Sequence, residues 1–120
     1  GDLIILSECS EGLGSPEFIE SQKRLVSKGL KSFLIEIREK KMAAIDEWQT
    51  QMQTKALLKG NVFLFSDGLT EENSVFTGVN RITSVYDEIV KSMHNKGSNK
   101  IAVIPEGPYV IPIFNPKLRS

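Results

Sequence analysis

Three short apolar runs constrain this chain more than anything else in it: LIIL at residues 3–6, VFLF at 62–65 and IAVI at 101–104. Each is continuous rather than alternating, and rich in β-branched or aromatic side chains. A strand that is apolar on both faces is covered on both faces, which is how parallel strands between helical layers read. The intervening segments supply the helices. Ser15 is a candidate N-cap, Pro16 suits the first helical position and Gly29 a stop, so a helix is predicted over residues 16–28. Leu30, Phe33, Leu34 and Ile37 follow helical spacing, as do Ile45, Trp48, Met52 and Ala56 in a helix ending before Gly60. Ile82, Val85, Tyr86, Ile89, Val90 and Met93 form a further stripe, with Ser84 and Asp87 as a variant capping box and Gly97 as its stop.

The order is therefore β-α-α-α-β-α-β with right-handed crossovers. It predicts a three-layer, Rossmann-like α/β unit with a short parallel sheet and helices on both faces. A length of 120 residues, 40% of them hydrophobic, suits one domain over 1–120 with a single core. The four prolines from Pro105 to Pro116 predict a tail that runs extended rather than helical. Lys plus Arg equals Asp plus Glu at 15 each, so no net field steers the chain to nucleic acid or an anionic membrane. Lys23, Arg24, Lys28, Lys31, Lys40 and Lys41 are interspersed with acids and read as a solvated face. One cysteine allows no internal disulfide, and no apolar run approaches the roughly 20 residues of a membrane span. A cytoplasmic location is the expectation.

In open parallel sheets ligands sit beyond the carboxyl ends of the strands. Ser7-Glu8-Cys9-Ser10-Glu11-Gly12 follows the first run, Ser66-Asp67-Gly68 the second and Pro105-Glu106-Gly107 the third. Each end delivers an acid followed by glycine, which is either ordinary turn chemistry or a site-forming rim. The helix that leads into the second strand begins at the same edge, placing Asp46, Trp48 and Gln49 near Glu8 and Cys9. The candidate cleft residues are thus Glu8, Cys9, Gly12, Gly14, Trp48, Gln49, Asp67 and Glu106. Trp48 also shares a stripe with Ile45 and Met52, so core packing competes with a cleft role, and Gln49 reads equally as solvent-exposed.

Several chemistries are excluded. A Cys9–His94 nucleophile-base pair needs hydrogen-bond reach, but His94 ends a helix at the opposite sheet edge, roughly 15 Å away at about 3.3 Å per strand residue. One histidine and one cysteine so far apart furnish no transition-metal site. Gly12 and Gly14 lack the third glycine of a dinucleotide loop, and Glu8 and Glu11 would repel a pyrophosphate. No catalytic or metal-ligating residue is assigned.

LIILSECSEGLGSPEF, DEWQTQ, VFLFSDGL and IAVIPEGPYVIP, in that order, resemble the C-terminal part of the nickel-dependent lactate racemase family. The match covers nearly the whole chain. The resemblance implies a parent enzyme of two α/β domains with the active site between them. It implies a nickel-pincer nucleotide held by the N-terminal domain, and racemisation or epimerisation of 2-hydroxy acids by reversible hydride transfer. The histidine bases, the metal ligand and the tethering lysine would lie in that other domain, so this chain would bind no cofactor and be inactive alone. Trp48 matches a tryptophan facing the substrate, and residues 8–14 match a loop lining the cleft. An apolar surface around Tyr109, Ile111 and Phe114 is expected where the partner domain packs. The alternative is a self-contained α/β binding or interaction module built on the same rim.

Overall fold

The computed structural model describes residues 1–113 and Asn115. Strand β1 (Asp2–Leu6) is followed by helices α1 (Pro16–Lys28), α2 (Leu30–Glu39) and α3 (Glu47–Leu57). Strand β2 (Asn61–Phe65), a short helix α4 (Glu71–Ser74), strand β3 (Asn80–Arg81) and helix α5 (Val85–Lys96) complete the unit. The sheet is parallel, in the order β1-β2-β3, with Asp2 opposite Asn61, Leu6 opposite Phe65, and Phe63 opposite Asn80. The expected α/β class is therefore observed.

The helix boundaries follow from local chemistry. Ser15 Oγ accepts the Phe18 N–H at 3.1 Å, Pro16 opens α1, and Gly29 closes it with φ of 79°. Ser84 Oγ caps α5 by accepting the Asp87 N–H at 3.2 Å. At its other end Gly97, with φ of 59°, takes the left-handed turn that stops a helix.

Two expectations need correction. Residues 101–104 are not a strand; the third strand is Asn80–Arg81, docked beside β2 by the Ile82 N–H to the Leu64 carbonyl at 2.9 Å. A two-residue polar strand leaves no apolar run to read. It occupies the flank of β2, and Ile101, Val103 and Ile104 stay 57%, 79% and 47% exposed. The sheet is also not covered on both faces throughout, since Leu3 and Ile5, which share one face of β1, are both exposed. In the tail, a 3-10 turn at Gly107–Tyr109 interrupts the extended path, and Pro116 lies outside the described residues.

The core is small and centred on the helices. Phe33, Leu25, Val62 and Leu69 are its buried apolar residues. Where α1 meets α3 the buried side chains are Ser21, Gln22, Thr50 and Thr54, short or amide groups that let helices approach closely. Gln22 Nε2 donates to Gln53 Oε1 at 2.6 Å, and Gln53 Nε2 donates to the Thr77 carbonyl at 2.7 Å, tying α1 and α3 to the segment before β3. No described helix is long and apolar enough to cross a membrane.

The face of α3 is the third correction. Ile45, Trp48 and Met52 do not pack into the core; they are 71%, 60% and 52% exposed, and α3 turns Glu47, Thr50 and Thr54 inward instead. Periodicity identifies which residues share a face but not which way that face points. Here the inward side is chosen by charge partners on α1 and beyond α2.

Candidate functional site

The carboxyl ends of β1 and β2 converge. The parallel ladder runs one residue beyond β1, with the Ser7 N–H donating to the Phe65 carbonyl at 3.1 Å. The two following turns then lock together through one acceptor. The Glu8 carbonyl takes the Gly68 N–H at 2.9 Å and the buried Ser66 hydroxyl at 3.1 Å. A Cβ at Gly68 would lie 2.2 Å from the Glu8 oxygen and 2.6 Å from the Cys9 oxygen. Only glycine permits that approach. Asp67, exposed, is carried between these two anchored neighbours.

The first turn is itself tight. Cys9 adopts φ of 49°, and its carbonyl accepts the Gly12 N–H at 2.9 Å. Gly12 and Gly14 have φ of 72° and 104°, which L-residues avoid. Cys9 is half-buried, its Sγ donating to Ser7 Oγ at 3.4 Å, while Glu8 and Glu11 face solvent.

The start of α3 is fastened to the end of this loop. Ser15 Oγ donates to Asp46 Oδ2 at 2.6 Å while capping α1, and Gln49 Nε2 donates to Asp46 Oδ1 at 3.3 Å. One serine thus holds the starts of two helices at the rim side. Trp48 and Gln49 follow directly and are exposed. Substituting Ser15→Ala removes both bonds and is expected to cost about 1–2 kcal/mol, the range of an N-cap deletion. Urea unfolding measures it, and an unchanged midpoint would show that the shared serine carries no stability.

Of the residues singled out from sequence, the structure thus brings Glu8, Cys9, Gly12, Gly14 and Asp67 into two interlocked turns, with Asp46, Trp48 and Gln49 adjoining through Ser15. Glu106 does not join them. It sits exposed at φ of 52° before the 3-10 turn, in a segment that is not part of the sheet, so no strand end delivers it to the rim. Tyr109 and Ile111 are 86% and 88% exposed, as expected of an uncovered apolar surface, and Phe114 lies outside the described residues. His94 is at the opposite edge. Ser92 Oγ and Lys96 Nζ, on either side of it, reach the two carboxylate oxygens of Asp2 at 2.6 and 3.7 Å, at the amino end of β1.

One cluster escaped sequence reading. Glu47, almost fully buried, receives the Arg24 guanidinium of α1 and Lys40 Nζ, the latter at 2.7 Å. Glu36 of α2 meets Arg24 at 3.2 Å and also Lys28. Burial pushes the Glu47 carboxyl up, but the Lys40 and Arg24 hydrogen bonds and the Ala44 amide outweigh it and hold it below the usual glutamate value. Arg24 and Lys40 are therefore not part of a merely solvated face. The available signal was an acid within the first turn of a predicted helix, whose partners lay 23 and 7 positions away.

The model of the lactate racemase C-terminal domain matches residues 1–112. The chain belongs to the lactate racemase C-terminal domain family. Neither the curated proteins nor the solved structures contain a match to it. In this lactate racemase-type C-terminal domain, the family match runs through both interlocked turns and the Trp48 helix alike.

Proposed function

We propose that this domain forms one wall of an interdomain active site in a 2-hydroxy acid racemase or epimerase, with the reactive half supplied by an N-terminal catalytic domain of the same parent chain. The observation that carries the reading is the backbone lock between the β1 and β2 turns, which fixes Glu8, Cys9 and Asp67 on one rim beside the start of α3. Met42, Ile45, Trp48 and Met52 add an exposed apolar surface next to that rim, the kind of surface that partner domains cover.

The side chains here do not fit the nickel-pincer nucleotide implied for the parent. The single cysteine and single histidine lie beyond opposite ends of β1, and the described residues contain no group of three His, Cys, Asp or Glu placed to hold a metal ion. The role left to this domain is to orient substrate and exclude water. The rim turns give a fixed edge, and Trp48 offers a broad apolar face with few rotamers to immobilise. Glu8 and Glu11 disfavour a second negative charge next to them, so the substrate carboxylate is directed toward the partner domain.

The test is isomerisation of a chiral 2-hydroxy acid. The 120-residue chain alone is expected to show none, while the chain joined to a nickel-loaded N-terminal domain of the family is active. Trp48→Ala in the joined protein is expected to lower kcat/KM about tenfold, equivalent to about 1.4 kcal/mol. Turnover by the isolated chain, or an unaltered kcat/KM in the Trp48 variant, contradicts the assignment.

A further inference from the structure

Asn73 meets the rim without belonging to either interlocked turn. A Cβ built on Gly12 would sit 3.6 Å from Asn73 Nδ2, so the side-chain amide carried by α4 rests directly against the first turn. Main-chain and side-chain bonds hold it there. Thr70 Oγ1 accepts the Asn73 N–H at 3.2 Å, and the Asn73 carbonyl accepts the Phe76 N–H at 3.1 Å. Arg81 Nη1 reaches Glu71 at 3.1 Å while its Nη2 donates to the Leu69 carbonyl at 3.5 Å. Leu69 is itself buried, directly after the Gly68 turn, so α4 is tied to the rim at both of its ends.

The neighbouring polar side chains are already engaged. Ser7 takes the Cys9 thiol, Ser66 donates to the Glu8 carbonyl, and Ser15 and the Gln49 amide both donate to Asp46. The Asn73 amide is half-buried and makes no hydrogen bond to any described residue. An amide offers two N–H donors and an acceptor oxygen; a hydroxyl, which donates and accepts, satisfies either side of it. A hydroxyl also brings no charge next to Glu8 and Glu11. Those acids direct the substrate carboxylate toward the partner domain, which leaves the opposite end of the substrate for this rim. A methyl group there would exclude water from the amide and supply no partner. A site built to hydrogen-bond a substrate hydroxyl rejects the analogue lacking it for that reason.

We infer that Asn73 contacts the substrate and selects a 2-hydroxy acid with a further hydroxyl at the end away from its carboxylate, as in glycerate, over one ending in a methyl group, as in lactate. This selection rests on the proposed interdomain site and names its substrate class. Trp48 remains the apolar face against which the carbon skeleton lies, and the Asn73 amide reads the far end.

Isomerisation of enantiopure glycerate and lactate by the chain joined to a nickel-loaded N-terminal domain of the family tests it. The native joined protein is expected to show a higher kcat/KM for glycerate than for lactate. Asn73→Ala is expected to lower the ratio of the two values about tenfold, the upper end for a hydrogen bond between neutral groups. Asn73→Leu keeps a side chain of similar size against Gly12 but removes its polar atoms, and is expected to lower the ratio as much. In the labelled joined protein, the Asn73 side-chain amide resonances should shift with glycerate and not with lactate. Urea midpoints show whether each variant is folded; where one unfolds, the native ratio and the amide shifts decide. A native preference for lactate overturns the inference, as does an amide that glycerate leaves unshifted. A ratio unchanged in both folded variants, or lost with alanine and restored with leucine as mere packing would give, overturns it too. These results leave the interdomain assignment standing. Absence of turnover with either acid in the native joined protein removes that assignment, and the selection with it.

Discussion

Glu47→Ala is expected to lower the unfolding free energy by about 3 kcal/mol at neutral pH. Removing one partner of a buried ion pair costs about 3–5 kcal/mol, because the opposite charge is left desolvated. The lower end applies because Arg24 and Lys40 keep side-chain exposures of 20% and 29%, which lets water reach them. Glu47 is nevertheless a junction: it starts α3, takes Arg24 from α1, and takes Lys40, the residue that caps the carboxyl end of α2. In a double-mutant cycle, Glu47→Ala and Arg24→Ala together should cost clearly less than the sum of the single changes. Urea unfolding provides both numbers. A loss under about 1 kcal/mol, the value of an exposed pair, would return the cluster to the status of a solvated face.

That cluster and the separately held Asp2 make the fold sensitive to acid. Glu47 is held below its ordinary value by its Lys40 and Arg24 hydrogen bonds, despite its burial. Glu36 is lowered chiefly by the Lys28 hydrogen bond, and Asp2 by hydrogen bonds from Ser92 and Asn61. A carboxyl with a depressed folded-state pKa contributes stability that is fully present above its unfolded value and is lost as pH falls through the folded one. The unfolded values are 4.5 for the glutamates and 3.8 for Asp2, so the urea midpoint should hold from neutral pH to about 5 and fall below 4.5. Glu47→Ala should flatten the acid slope, since one of the protons that drives it is gone.

How much of this was legible beforehand depended on whether the deciding interaction was local. The cap at Ser15, the proline at Pro16 and the stops at Gly29 and Gly97 act within a few residues, and each appears where the sequence placed it. The parallel pairing of residues 3–6 with 62–65 followed from their continuous apolarity. The rim turns were legible as acid-glycine pairs, although the contact that makes Gly68 necessary is with a backbone 60 positions away. The inward face of α3 was not legible. Its apolar stripe pointed one way, and a buried glutamate with two cationic partners pointed the other; Glu47, Thr50 and Thr54 turn inward, and Trp48 and Met52 are left exposed. Strand β3 was invisible for a different reason. Two polar residues carry no periodicity, and their pairing is fixed by main-chain bonds to β2 that any sequence could make.

Gly68→Ala is the second large effect expected, at about 3 kcal/mol, the upper range for forcing an extra carbon into a packed site. The carbonyl oxygens of Glu8 and Cys9 that an alanine Cβ would strike, at 2.2 and 2.6 Å, belong to backbone and cannot swing aside as a side chain would. Relief requires the two turns to separate, which breaks the Gly68 N–H bond to Glu8 and loosens the Ser66 hydroxyl from the same oxygen. Gly12→Ala is the matched control. There φ is 72° but the nearest neighbour of a new Cβ is Asn73 Nδ2 at 3.6 Å, so the cost is the left-handed conformation alone, about 1–2 kcal/mol. The ordering of the two variants separates close approach from dihedral strain. In the joined two-domain protein, Gly68→Ala should lower kcat/KM more than Trp48→Ala, because it moves Glu8, Cys9 and Asp67 together. If Gly68→Ala instead costs no more than Gly12→Ala in urea, the β1 and β2 turns are not in contact, and the rim on which the proposed site depends is absent.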